Sequence, residues 1–328
     1  MTTRSLLRLT VTILAATAFG RAARAAEPAA DAPCFLWEAT APTGTVYLLG
    51  SIHVGHPSMF PLAPVIEKAF SNSSALVVEV HVTPEVEVQS ALLAAEKGTY
   101  PAGETLQASL SADTLKKLRA YLGAQRLTLD PFNSMRPWLL GLTLVMREYL
   151  RLGYDPKLGL DSYFVQKAGN KEILELETVE KQLDVLSSGD REVQDLSLRE
   201  MLEQIETADD LMKRLIDAWR SGDADAVDRI LKDSFSEEPK LKDLHKLLLD
   251  DRNVAMAAKI REYMKAGKSC FVVVGSAHLV GTNGIVRLLQ DGGCTVKQLR
   301  RGGAVRAAPP APAGPVVKTP TQTRRDHD

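Results

Sequence analysis

Tyr47-Leu48-Leu49-Gly50-Ser51-Ile52-His53 and Phe271-Val272-Val273-Val274-Gly275-Ser276-Ala277-His278 are the two stretches that decide the fold. Each is an apolar run that stops at Gly-Ser, the pattern of a buried strand ending in a tight turn. The histidine three residues beyond each glycine then falls at a strand's carboxyl end, where open α/β sheets bind their ligands. The chain holds six histidines, and these two share one setting across 225 residues (278 − 53). A single histidine in such a place is more often structural. A matched pair points to a site at His53 and His278.

Working outward, residues 34–40 and 45–50 form strands of a hairpin around Ala41-Pro42-Thr43-Gly44. A short helix is expected over 61–69 and a strand over 75–80. A long, mostly helical stretch follows, about 84–265, with a buried apolar helix over 137–150 and a strand within 171–177. Its longest helix is expected from about 191 to 219, where Leu198, Met201, Leu202, Ile205, Met212, Leu215, Ile216 and Trp219 recur at three- and four-residue spacing. That stripe is packing surface rather than a cofactor box. Further helices are expected over 224–231 and within 244–265. The chain then returns to strand (270–274), helix (284–289) and strand (295–299).

The order strand, Gly-Ser-x-His, helix, strand thus occurs twice. The expected architecture is a single α/β domain over residues 34–301. Its central mixed sheet is built from two pseudo-symmetric half-units around a pseudo-two-fold axis, with the helical region inserted between them. Residues 26–33 are an Ala/Pro-rich lead-in, and the Pro/Ala/Thr-rich residues 302–328 are expected to be disordered.

The first 25 residues have the pattern of a secretory signal peptide. Arg4 and Arg8 precede an apolar stretch over 9–20, and Ala23-Arg24-Ala25 supplies a small-x-small cleavage site. The stretch is shorter than the ~20 residues of a membrane-spanning helix, an uncleaved anchor being the alternative. No second hydrophobic span follows. The expectation is export, to the periplasm or the medium, of a 303-residue protein (328 − 25) without a stable membrane span. A formal net charge of −1 offers no electrostatic case for nucleic acid or an anionic membrane as partner. Three cysteines are too few for a disulfide scaffold. Cys270 and Cys294 fall on neighbouring expected strands, which leaves one bridge open in an oxidising compartment.

Glu79 is the third candidate. It sits in Leu76-Val77-Val78-Glu79-Val80, a run too apolar to be half-exposed. A buried carboxylate must be protonated, hydrogen-bonded, ion-paired or metal-bound. Two imidazoles and a carboxylate can hold a divalent ion with a position left for water. The same three groups can equally work without metal as an acid–base set, or form a binding pocket without turnover. Gly50, Ser51, Gly275 and Ser276 shape the two turns. Arg136, Asp161, Glu177 and Arg252 are charged residues in apolar or turn-like settings and are supporting candidates, Glu177 foremost because it also ends a strand. His56 is expected to be a solvated loop residue, His81 to share a strand face with Glu79, and His245 and His327 to be incidental.

In these motifs the chain resembles the TraB/GumN family, whose animal relatives include the Tiki membrane proteases. The resemblance extends over most of the chain after residue 25. It takes in Val274-Gly275-Ser276-Ala277-His278-Leu279-Val280-Gly281, Arg136-Pro137-Trp138, Gly159-Leu160-Asp161, Leu176-Glu177-Thr178 with Gln182, and Arg252-Asn253. It implies a metal-dependent peptidase or related hydrolase acting on a peptide or protein, with His53, Glu79 and His278 as the essential group. It also implies a divalent ion such as manganese, cobalt or zinc. The fold it implies is similar to that of the erythromycin esterases, which use a His/Glu site without an obligatory metal.

Overall fold

The computed structural model describes residues 29–235 and 237–306. Six strands, β1 (Pro33–Ala41), β2 (Gly44–Ser51), β3 (Ala75–Val78), β4 (Glu172–Glu175), β5 (Cys270–Gly275) and β6 (Thr295–Arg300), form one mixed sheet in the order β4-β3-β5-β2-β1-β6. β1 is antiparallel to β2 and β6, whereas β2, β5, β3 and β4 run parallel. Every residue of β3 and β5 is buried. That is why these strands are continuous apolar runs rather than alternating ones.

From β2 the chain passes over β5 to reach β3. From β5 it leaves in the opposite direction, past β2 and β1, to reach β6. The connections therefore diverge between β2 and β5, a topological switch point. The crevice outside the carboxyl ends of such strands is the usual place for a ligand.

The helices are α1 (Pro64–Asn72), α2 (Pro84–Gly98), α3 (Leu106–Ser109), α4 (Ala112–Ala124), α5 (Pro137–Arg151) and α6 (Leu160–Lys167) before β4. After it come α7 (Val179–Leu186), α8 (Arg191–Glu206), α9 (Ala208–Ser221), α10 (Ala224–Ser234), α11 (Lys242–Leu248) and α12 (Asp250–Lys265), with α13 (Ile285–Asp291) between β5 and β6. Thr83, Thr178, Asp190 and Asp223 open α2, α7, α8 and α10 by accepting a first-turn backbone N–H. Gly222 closes α9 at φ 70°, a left-handed conformation that favours glycine.

Two hydrophobic cores result. One surrounds the sheet and includes Phe70, Phe164 and Phe271, whose ring centroids lie 4.8–5.5 Å apart. The other joins α3, α4, α5 and α8 through Leu106, Leu118, Leu140, Leu144, Leu198 and Leu202.

This division corrects several expectations. The 191–219 helix is two helices broken at Thr207, because Leu198, Leu202 and Ile205 serve the second core while Met212, Ile216 and Trp219 serve the first. One straight helix could not do both. The helix over 137–150 is buried on one face only; Leu142, Met146 and Leu150 are exposed. The strand expected within 171–177 is borne out as β4, at the sheet edge. Cys34, Cys270 and Cys294 are free. β2 and β1 stand between β5 and β6, and strands spaced about 4.8 Å apart place their residues beyond disulfide reach.

Residues 302–306, the first of the expected tail, stay packed on the domain. Val305 is buried, and the Arg306 carbonyl accepts hydrogen bonds from Tyr47 and Asn72. The leader pattern over 1–25 and the rest of the expected disordered tail, 307–328 with His327, lie outside the described residues. No helix among the described residues is long and apolar enough to cross a membrane.

Candidate active site

Parallel pairing of β2 with β5 sets Ser51 opposite Gly275. The two Gly-Ser turns therefore lie side by side, tied by a hydrogen bond from Ser276 Oγ to the Ser51 carbonyl (2.9 Å). Gly50 is needed for close packing. A Cβ there would come within 2.4 Å of the Phe35 ring, and its carbonyl accepts the Trp219 indole N–H at 2.7 Å. His278 completes a single 3-10 turn over Ser276–His278 and is buried, whereas His53 follows β2 and is largely open to water.

β3 ends at Val78, so Glu79 lies just past the strand, at its carboxyl end rather than within it. From there its Oε1 accepts the Gly275 backbone N–H (2.7 Å) and stands 3.8 Å from Nε2 of both His53 and His278. Its Oε2 accepts from Arg252 Nη2 (2.8 Å) and Gln182 Nε2 (3.3 Å). Gly275 keeps the centre of the group open. A Cβ at that position would sit 3.0 Å from His53 Nε2 and 3.4 Å from Glu79 Oε1.

Each imidazole is fixed at its other nitrogen. His53 Nδ1 is 2.9 Å from Asp161 Oδ2, an acceptor that Ser51 Oγ also donates to. Asp161 reaches this place because Gly159 lets the chain press against the His53 carbonyl before α6 begins; an added Cβ would lie 2.2 Å from that oxygen. His278 Nδ1 is 2.6 Å from Asn253 Oδ1, and Asn253 Nδ2 donates to the Asn283 carbonyl. With acceptors facing both Nδ1 atoms, each ring carries a proton there and turns its Nε2 toward Glu79.

Arg252 is the partly buried guanidinium of the group. Its Nε donates to both Glu177 oxygens (3.0 and 2.9 Å), its Nη2 to Glu79, and its Nη1 to the Leu248 carbonyl (3.1 Å). Burial opposes ionisation of Glu79. The facing imidazoles, Arg252 and the Gly275 N–H outweigh it, and the carboxyl is held below its ordinary range. Burial likewise opposes ionisation of Asp161, and the charge and hydrogen bond of His53 with the Ser51 hydroxyl outweigh it. Burial pushes Glu177 up against the pull of Arg252.

The two histidines diverge. The Asp161 charge raises His53, to about 9, although a ring 61% exposed is partly screened by water. Burial lowers His278, to about 4. His278 is therefore neutral near pH 7, and there His53, Arg252 and the Gly275 N–H are what keep Glu79 ionised.

The group opens into a cleft of about 400 Å³. In kind, the donors suit a divalent cation: two imidazoles that present Nε2, with their Nδ1–H groups held by oxygen acceptors, and one carboxylate oxygen. In spacing they are slightly wide. Two ligands at ~2.1 Å from a tetrahedral ion lie about 3.4 Å apart, a few tenths of an ångström less than the distances here. Among the described residues no group of three or more His, Cys, Asp or Glu is arranged to hold a metal ion.

Of the supporting candidates, Asp161, Glu177 and Arg252 join the cluster. Arg136 does not. It lies over the Tyr100 ring, 4.8 Å from its centroid, and lines a separate pocket with Arg191 and Gln194. The helix it opens, α5, carries it to that second pocket. His56 closes a local turn with Ser58. His81 lies beyond the end of β3, so it shares no strand face with Glu79; its backbone N–H donates to Glu175. His245 pairs with Glu200 and stacks on Phe235. Asn253 was absent from the candidates. Its one signal was its place beside Arg252, since nothing in a polar helical turn announces which histidine it will meet.

A model of the TraB/PrgY/gumN family matches residues 35–298. An uncharacterized protein of Treponema pallidum (strain Nichols) is 31% identical over 171 residues, which cover 51% of this chain and 50% of that protein. The uncharacterized protein YbaP of Escherichia coli (strain K12) is 28% identical over 142 residues, 43% of this chain and 51% of that protein. The chain thus spans about half the length of the curated relatives it matches. No solved structure matches it significantly.

Proposed function

The chain belongs to the TraB/PrgY/gumN family, and on that footing we propose that it is an exported hydrolase of peptide bonds whose reacting group is His53, Glu79 and His278, with a divalent cation held among them. One observation carries this reading. Two imidazoles pinned at Nδ1 bring their Nε2 atoms to one oxygen of an ionised carboxylate, with 3.8 Å between each nitrogen and that oxygen. Two nitrogens and a carboxylate oxygen that converge in this way can take a divalent cation, which would displace the Nε2 proton of His53.

The ion would be held by His53 Nε2, His278 Nε2 and Glu79 Oε1, and when bound would supply Lewis acidity, polarising a carbonyl and acidifying water. The chain's own residues do the rest. Asp161 orients His53 and answers its charge, with Ser51 holding Asp161 in turn. Arg252, positioned by Glu177, and the Gly275 N–H keep Glu79 ionised inside an apolar strand end. His53, the open member, faces the cleft and can exchange a proton with water there.

A metal-free reading is favoured by a different observation: no group of three or more acidic, histidine or cysteine side chains is arranged for a metal among the described residues. His53, oriented by Asp161, would then serve as the general acid and ionised Glu79 as the general base. Metal analysis and peptide turnover of the purified protein, with and without chelator, separate the two. The metal reading expects a stoichiometric divalent ion, lost in His278→Ala together with activity. Turnover that survives exhaustive chelation would replace it with the metal-free one.

The two half-units, related about a pseudo-two-fold axis, are part of this proposal. They are supported by the opposite directions in which the chain leaves β2 and β5. Export rests on the leader pattern of residues 1–25, and fractionation of cells expressing the full chain tests it.

A further inference from the structure

The cleft has two unlike sides. Its floor is the charged group at the strand ends. Its wall is aliphatic: Val80 and Val82 from the segment after β3, Val185 and Leu186 from the last turn of α7, and Leu248 from the end of α11. α7 packs against both α2 and α11, so three separate parts of the chain assemble this wall. None of the five side chains joins either hydrophobic core or packs against one. Val82 is 60% exposed at the rim. Aliphatic side chains that serve no core and converge beside a polar cluster are surface held ready for an apolar ligand group.

Charge narrows the ligand. Among the described residues lining the cleft, Arg252 is the one arginine or lysine. Its guanidinium is already spent on Glu177, Glu79 and the Leu248 carbonyl. His53 is answered by Asp161. A free terminal carboxylate entering the cleft would meet Glu79 and Asp161 with no unclaimed basic side chain to receive it.

We propose that this wall is the subsite for an aliphatic side chain next to the reacting bond, in a peptide segment that presents no free carboxylate to the cleft. The inference rests on the peptide-hydrolase reading above and names its substrate class: interior or amino-terminal stretches bearing Leu, Ile or Val, not carboxyl-terminal residues.

The test uses fluorescent hexapeptides capped at both ends and identical except for a central Leu, Ser or Glu. A fourth peptide ends in Leu with a free carboxylate. Binding to the full chain is read by fluorescence polarisation, and cleavage in the same samples by mass spectrometry. The capped Leu peptide is expected to bind about tenfold more tightly than the Ser or Glu peptide, and more tightly than the free-carboxylate peptide. Leu186→Ser should reduce that preference severalfold, and so should Val82→Ser, an exposed position where folding is not at stake. Equal affinity across the set, binding of none, or preference unchanged in both variants would overturn the proposal. Preference without cleavage removes the hydrolase reading and keeps the subsite; cleavage without preference does the reverse.

Discussion

The backbone N–H of Gly275 donates to Glu79 Oε1 at 2.7 Å, so the turn that carries one histidine also holds the acid that both histidines face. The site is thereby joined through main chain, not only through side chains.

That relationship makes Gly275→Ala a clean probe. The backbone at 275 (φ −50°, ψ 138°) suits alanine, but its Cβ would stand 3.0 Å from His53 Nε2 and 3.4 Å from His278 Cδ2. The variant should melt within a few degrees of the parent by circular dichroism. Its turnover should fall about 100-fold, the cost of misplacing reacting groups by about an ångström.

Arg252 should matter to stability as well as to chemistry. Arg252→Met leaves two buried carboxylates, Glu79 and Glu177, without their cation. Breaking such a pair costs about 3–5 kcal/mol, which urea unfolding would register as a lower midpoint. Arg252→Lys should fall between the two, because an ammonium keeps the charge but not the bidentate contact to Glu177.

Asn253 is assigned here to the orientation of His278. Asn253→Ala removes the acceptor of a buried imidazole N–H and should cost about 1–3 kcal/mol. Asn253→Asp keeps an acceptor but adds a negative charge, and should raise the His278 pKa. Nitrogen NMR of the imidazoles checks both: the parent should show His278 protonated at Nδ1 near pH 7, and the alanine variant a mixture.

Stability should fall on the acid side well before the carboxylates titrate. Burial lowers His278 from 6.5 to about 4. A group depressed in this way contributes fully above 6.5 and loses its contribution as pH falls from there toward 4, because the unfolded chain takes up the proton first. The difference converts to roughly 3 kcal/mol. His53, raised toward about 9, has the opposite sign: its contribution is full below 6.5 and is lost as pH rises through 9. Its exposure to water makes that loss small. Chelator-treated protein should therefore be most stable near about pH 6.5–7, and His278→Asn should flatten the acid limb of a denaturation series.

Much of the sheet was legible because its central strands are buried on both faces. Leu76-Val77-Val78 and Phe271-Val272-Val273-Val274 can be little else than strands once Gly-Ser and polar residues bound them. The two Gly-Ser-x-His turns were legible for the same reason. Helix ends were less so. Nothing local in residues 191–219 tells that its apolar stripe is divided between two cores, and that division sets the break at Thr207. Arg136 and Asp161 looked alike in sequence, both charged residues in apolar or turn-like settings. What separates them is tertiary: α6 packs on β3 and β5, whereas α5 packs on α8 and α2.

By itself the sequence determined the apolar runs that must become buried strands, the turns that end them, and the helix starts capped by Thr and Asp. Each of these follows from chemistry within a few residues. The tertiary structure decided the rest: that Ser51 lies beside Gly275, that Arg252 reaches Glu79 across 173 residues, and that Asp161 and Asn253 each receive a histidine. Those contacts depend on the sheet order β4-β3-β5-β2-β1-β6, which places β5 between two strands from the start of the chain. A hydrogen bond a few ångströms long carries no trace in the sequence of a partner more than a hundred residues away.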